Sequence, residues 1–202
     1  MQKLFNITNE TDHIVKIELV NGKKHNPLSL ELIKDLTNSL IQISSQKKVK
    51  VLIISSEGPG FSAGHDLDEL RKNKNNKKFF NELFNECSNL MQTIMNLPQP
   101  VIAEVCGIAA AAGCQLVASC DLAVASEHAS FMTPGVNIGL FCSTPMVAVS
   151  RNLSRKKIME MLLTGEKLSA KDAVDFGLIN HCVPLDQLHQ KTLSIANIIA
   201  SK

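Results

Sequence analysis

The sequence predicts one α/β domain built on a largely parallel sheet. Three observations carry this: short apolar runs of strand length recur, one-faced helices separate them, and small residues mark the corners between the two. Residues 13–20 alternate apolar and polar as a half-buried strand does, and Asn21-Gly22 supplies a turn. Residues 28–43 read as a helix because Leu28, Leu32, Leu36 and Leu40 stack on one face. Residues 49–55 form a continuous apolar run, hence a buried strand, which Glu57-Gly58-Pro59-Gly60 ends. A helix over 79–97 follows, with Leu83, Cys87, Leu90, Met91 and Ile94 on one side, and Pro98 and Pro100 stop it. Residues 101–105 are a second buried strand, the alanine run 109–112 leads into a helix through Leu116, and 121–125 is another short strand. Helices over 144–153, 155–163, 170–176 and 185–199 complete the chain, and no boundary divides residues 1–202. The Lys/Asn-rich stretch 71–78 reads as a solvated loop or helix end, or as a mobile flap whose lysines meet an anionic ligand.

The bulk numbers exclude several classes of function. At 202 residues the chain suits one domain. With 21 basic and 19 acidic residues the net charge is only +2, too balanced to require nucleic acid or an anionic membrane. Trp and Tyr are absent, so base-stacking platforms are hard to build. No apolar run approaches the ~20 residues that span a bilayer. The six cysteines form no C-x-x-C and mostly sit in apolar runs, so they read as buried reduced thiols rather than as disulfides or metal ligands. A reducing compartment follows, the cytoplasm first and the mitochondrial matrix as the alternative.

Two strand-to-helix passages could carry chemistry. One runs from the 49–55 strand into Phe61-Ser62-Ala63-Gly64-His65-Asp66-Leu67-Asp68, the other from the 101–105 strand through Gly107 and the alanines into Gly113-Cys114-Gln115-Leu116. Small residues at such corners let backbone approach a ligand, and a starting helix leaves unpaired N–H groups there. Two such corners side by side would place two donors on one carbonyl oxygen, which is an oxyanion hole.

These same segments, with Cys120-Asp121-Leu122, Leu163-Thr164-Gly165-Glu166 and Gly177-Leu178-Ile179, resemble the signatures of the crotonase (enoyl-CoA hydratase/isomerase) superfamily from about residue 13 onward. The resemblance implies a ClpP/crotonase-like spiral of ββα repeats with a helical C-terminal region. It also implies acyl-CoA as ligand, a place in fatty acid metabolism, and no cofactor beyond the coenzyme A of the substrate. Assembly as a homotrimer or hexamer is implied if a C-terminal helical tail, which the family usually carries beyond a point like Lys202, is present. By motif position the amides of His65 and Ala112 would form the oxyanion hole. His65, Asp66, Leu67 and Asp68 would line the acyl-pantetheine path, and Lys24 resembles the basic position that meets CoA phosphates.

The chain departs from the pattern at the acids. The family's two hydratase glutamates fall on Gln115 and Gly135, and a third acid position used by some members falls on Ser143. An amide keeps the shape of glutamate but accepts no proton at neutral pH. The resulting expectation is an acyl-CoA-binding protein without ordinary hydratase activity. The alternative is an active hydratase, isomerase or hydrolase using other residues, with His65, Asp66, Cys142 and Ser143 as candidates. A remote alternative is a serine hydrolase, because Gly60-Phe61-Ser62-Ala63-Gly64 matches G-x-S-x-G, with Asp172 or Asp175 and His181 or His189 downstream.

Overall fold

A computed structural model of the chain describes residues 3–202. Strands β1 (Phe5–Asn9) and β2 (Ile14–Leu19) open the chain, then a 3-10 turn (Gly22–Lys24) and helix α1 (Leu30–Ser44). Next come β3 (Val51–Ser56), β4 (Gly60–Ser62), α2 (Leu67–Lys72) and α3 (Lys77–Asn96), followed by β5 (Val101–Val105), β6 (Ile108–Ala110) and α4 (Ala112–Ser119). The third such group is β7 (Leu122–Ser126), β8 (Ser130–Met132), a 3-10 turn (Pro134–Ile138) and α5 (Ser143–Val149). Helix α6 (Arg155–Thr164), β9 (Leu168–Ser169), α7 (Ala170–Asp175), β10 (His181–Val183) and α8 (Leu188–Ala200) close the chain.

The first strand of each group joins one sheet, in the order β1-β2-β3-β5-β7-β10, and the second joins another, in the order β4-β6-β8-β9. Strands β2, β3, β5, β7 and β10 are parallel neighbours, and so are β4, β6 and β8. Repeating a strand in each sheet and then a helix makes the chain spiral. In the first turn of the spiral, Leu28 takes the place of a second strand through a lone parallel bridge to His65. The central strands β3 and β5 are buried on both faces, which is why β3 opens as an unbroken apolar run, while β2 alternates with Lys16 and Glu18 half-buried. Ile14, Val51, Ile53, Ile102 and Val124 point to one face, against Leu188 and Ala196 of α8. Val15, Leu52, Ile54, Val101 and Ala103 point to the other, into the main core with α1 and α3.

Two expectations need correction. The α1 helix does not start at Leu28: the Ser29 hydroxyl accepts from the Leu32 amide at 3.2 Å and caps the helix, while the Leu28 amide donates to the Gly64 carbonyl at 2.8 Å. Bonding to the neighbouring corner takes Leu28 out of the helix. The alanine run does lead into a helix, α4 opening at Ala112, but its first residues are strand: Ala109 and Ala110 pair with Phe131 and Met132 as β6. Sheet pairing overrides the helical preference of alanine there. The stretch 71–78 ends α2, turns, and begins α3, where the Asn76 side chain caps by accepting from the Phe79 amide at 3.1 Å.

A polar cluster fastens α8 to the sheet. The His189 ring meets Glu104 of β5 at 3.1 Å and Glu10 at 3.4 Å, and Lys16 of β2 pairs with Glu10 at 3.0 Å. Burial works against the Glu10 carboxylate, but the Lys16 ammonium and His189 outweigh it and hold its pKa below the ordinary value. A depressed carboxylate contributes stability in full above the unfolded value near 4.5 and loses it as pH falls through the lower folded value. Glu10→Gln is therefore expected to lower stability by about 1 kcal/mol at pH 7. Urea midpoints should differ at pH 7 and converge with wild type as pH falls below 4.5 through the lowered Glu10 value. Equal midpoints at pH 7 would remove the cluster from the energetics.

Candidate functional site

The site is built where the first two ββα groups lie back to back. Asn26, fully buried in a left-handed conformation at φ 49°, donates to the carbonyls of Glu57 and Gly60 at 3.0 and 2.8 Å. The Ser62 hydroxyl donates to the Asn26 carbonyl at 2.9 Å and accepts from the Gly64 amide at 3.2 Å. These bonds turn the chain through Gly64, whose φ of +88° suits glycine. A Cβ placed there would lie 2.9 Å from the Ala110 carbonyl oxygen and 3.2 Å from the Ala112 nitrogen. The corner before His65 and the corner before α4 thus touch through bare backbone. Among the described residues, neither the His65 nor the Ala112 amide finds a hydrogen-bond acceptor. Ala112 opens α4, where first-turn N–H groups are unpaired by geometry.

Ala111, just before that helix, sits at φ 49°, ψ −116°, a conformation that costs an L-residue about 1–3 kcal/mol. The strain is held by its amide's bond to the Met132 carbonyl at 2.9 Å and by the Gln115 amide bonding its carbonyl at 3.0 Å. Ala111→Gly is expected to stabilise the chain by about 1 kcal/mol, net of the extra freedom glycine brings to the unfolded chain. The thermal midpoint should rise by about 2–4 °C. A fall would mean that the Ala111 methyl contributes more by packing than its backbone loses.

A cleft of about 340 Å³ opens in front of this corner, lined by Lys24, Pro27, Ala63, His65, Asp66, Leu67, Asp68 and Arg71. Five of the six residues expected to meet an acyl-CoA line it together, and Ala112 stands behind Gly64. Their side chains already have local tasks. Asp66 caps α2, accepting from the amides of Asp68 and Glu69 at 2.9 and 3.2 Å. Asp68 pairs with Lys24 and with Arg71, each at 3.5 Å. Arg71, the first residue of the charged stretch 71–78, adds a lining cation that its sequence context does not single out. The His65 ring packs edge-on against Phe84 of α3 at 5.5 Å, and its Nδ1 is buried without a hydrogen-bond partner. Burial holds its pKa below the ordinary histidine value, with the Leu28 backbone opposing only in part. The imidazole is therefore neutral at pH 7.

One turn along α4 from Ala112, Gln115 is 6% exposed and its Oε1 is buried without a partner. It lines a second cleft, of about 280 Å³, between α3, α4 and α5. Gly135 lies in the 3-10 turn after β8, where a Cβ would meet the Leu140 carbonyl oxygen at 2.7 Å and the Cys142 sulfur at 2.8 Å. The position is closed as well as bare. All six cysteines are free, and burial pushes the thiols of Cys87 and Cys114 up to about 12. Burial also raises the Cys142 thiol, which makes it a poor nucleophile at pH 7. The serine-hydrolase alternative is overturned. Ser62 is fully buried with its hydroxyl bonded to backbone, Asp172 takes the Ser169 hydroxyl at 2.6 Å, and His189 is held by Glu104 and Glu10.

Two sheets fed alternately by a spiral, with two strand-to-helix corners in backbone contact, define an α/β protein of the crotonase-fold class. The enoyl-CoA hydratase/isomerase family profile matches residues 9–202. The chain is 52% identical over 192 residues to human enoyl-CoA hydratase domain-containing protein 3, mitochondrial, covering 95% of this chain and 63% of that protein. The rat protein of the same name is 50% identical over 194 residues, with 96% and 64% covered. The chain thus spans somewhat under two thirds of the length of these relatives. Among solved structures, human enoyl Coenzyme A hydratase domain-containing protein 3 superposes with a TM-score of 0.94 at 49% identity, over 98% of this chain and 78% of that one. An enoyl-CoA hydratase from Mycobacterium smegmatis superposes with a TM-score of 0.96 at 40% identity, over 100% and 78%. The chain belongs to the enoyl-CoA hydratase/isomerase family.

Proposed function

We propose that the chain binds acyl-CoA thioesters and holds the thioester carbonyl oxygen with the backbone amides of His65 and Ala112, without catalysing ordinary hydration. The observation that supports this reading is the close approach of the Gly64 and Ala112 backbones, with neither the His65 nor the Ala112 amide hydrogen-bonded among the described residues. Lys24 and Arg71 at the rim supply cations for CoA phosphates, and Leu67, half exposed, supplies apolar surface for pantetheine. With Gln115 and Gly135 where the resemblance puts the family's glutamates, and with Asp66 capping α2 and Asp68 paired to Lys24 and Arg71, this reading leaves out the acid–base help typically worth ~10²–10⁴-fold. Coenzyme A enters as part of the ligand. The word mitochondrial in the names of the human and rat relatives supports the matrix over the cytoplasm as the site of action. Assembly as a homotrimer or hexamer belongs to the same reading.

Calorimetric titration with butyryl-CoA, run beside crotonyl-CoA hydration, tests the proposal. Binding without turnover is expected. Absence of binding sinks the thioester site, and turnover at hydratase rates sinks the argument from the missing acids. The neutral, half-buried His65 ring beside the cleft favours one second reading, a slow thioester hydrolase with His65 as base. Release of free CoA thiol that disappears in His65→Phe would establish it.

A further inference from the structure

Ser62, excluded as a nucleophile, has its hydroxyl bonded on two sides within the corner that precedes His65. It donates to the Asn26 carbonyl and accepts from the Gly64 amide at 3.2 Å. The second bond fixes the peptide plane between Ala63 and Gly64. The next plane, between Gly64 and His65, is fixed by its carbonyl, which accepts from the Leu28 amide at 2.8 Å. No peptide bond among the described residues is cis, and in a trans peptide the C=O and N–H point opposite ways. The His65 N–H is therefore turned away from Leu28.

Gly64 is the weak link in this arrangement. With φ at +88° and no side chain, it joins the two planes with little resistance to rotation. Turning the second plane would swing the His65 N–H out of line. Two hydrogen bonds oppose that turn, and only the Ser62 bond comes from a side chain. Its anchor is firm. The Asn26 side chain accepts from the Asn21 amide at 2.8 Å while donating to the carbonyls of Glu57 and Gly60. Ser62 also abuts the second corner, where a Cβ on Gly113 would lie 2.8 Å from the Ser62 Cβ. Fully buried and absent from the cleft lining, Ser62 reaches a ligand only through the backbone it holds.

Resting on the acyl-CoA reading, we infer that Ser62 is a positioning residue for the His65 amide. Its hydroxyl restrains the Gly64 hinge, so that the amides of His65 and Ala112 stay aimed at one carbonyl oxygen.

The test compares butyryl-CoA with S-butyl-CoA, a thioether that lacks only the carbonyl oxygen. Calorimetry on the wild-type chain should show the thioester binding about tenfold tighter, the size of two neutral hydrogen bonds. In Ser62→Ala that ratio should fall to about twofold, with thioether affinity kept. Ser62→Cys, whose thiol bonds weakly, should give an intermediate ratio. Isotope-edited infrared spectra should show the bound thioester carbonyl at higher frequency in Ser62→Ala than in wild type. A full ratio in Ser62→Ala, or equal losses for both ligands, overturns the positioning role. Where Ser62→Ala does not fold, Ser62→Cys decides alone: a reduced ratio with thioether affinity kept supports the role, and an unchanged ratio overturns it. A wild-type chain that binds the two ligands equally overturns the thioester reading itself, and this inference with it.

Discussion

Gly113→Ala is expected to destabilise the chain by about 3 kcal/mol or more, and to abolish acyl-CoA binding with it. On helix propensity alone the change should help, since alanine is favoured over glycine by up to about 1 kcal/mol. Contact decides the sign. A Cβ on Gly113 would lie 2.3 Å from the Ser62 carbonyl oxygen and 2.8 Å from the Ser62 Cβ. Both belong to strand β4, whose Ser62 is fully buried and hydrogen-bonded on two sides, so neither can yield without moving the corner that carries Gly64 and His65. Relief must come by pushing α4 away from β4, which also separates the two amides. A thermal midpoint lower by about 6–12 °C, with lost butyryl-CoA binding, is the expected pair of results. A raised midpoint would show that α4 has room on β4 and that the close approach of the corners is incidental.

Glutamates placed at 115 and 135, the positions that the proposed reading assigns to the family's acids, should not create a hydratase. Gln115→Glu keeps shape and is tolerated, but Gly135→Glu must place a side chain where the Leu140 carbonyl and the Cys142 sulfur already stand. That turn is closed on itself, with the Leu140 amide bonding the Gly135 carbonyl at 2.9 Å. Gly135→Glu alone is expected to lower stability by about 2 kcal/mol. The double variant should hydrate crotonyl-CoA no more than about tenfold faster than wild type, against the ~10²–10⁴ that each well-placed acid or base supplies. Loss of enoyl absorbance measures it. A double variant reaching the rate of an active hydratase would mean that the loop 139–142 moves easily and that only the carboxyl groups were lacking.

The parts of the fold legible in the sequence were those with long, one-signed patterns. The runs 51–54 and 101–103 are apolar because both sheet faces are covered there, and the Leu83-to-Ile94 stripe of α3 is buried as its spacing predicts. What stayed hidden was too short to have a period. Strands β4, β6, β8 and β10 have three residues each, and β9 has two. Each is fixed by pairing with another short strand distant in sequence. Most of the candidate site was visible through its glycines and small residues, because backbone contact between corners demands them: Gly64 and Gly113 have no room for a Cβ. Arg71 was not: it reaches the cleft only through the way α2 packs, which single-sequence spacing does not encode. Nor does sequence alone show that Gly135 is walled in.

Cys87 on α3 and Cys114 on α4, two of the helices that bound the second cleft, are both buried, and burial keeps both thiols protonated far above neutrality. Alkylating reagents act on the thiolate, so neither sulfur should react until its helix lifts. The chain therefore carries a pair of native timers, and their modification rates measure how often that helix pair breathes and how firmly an occupant holds it shut.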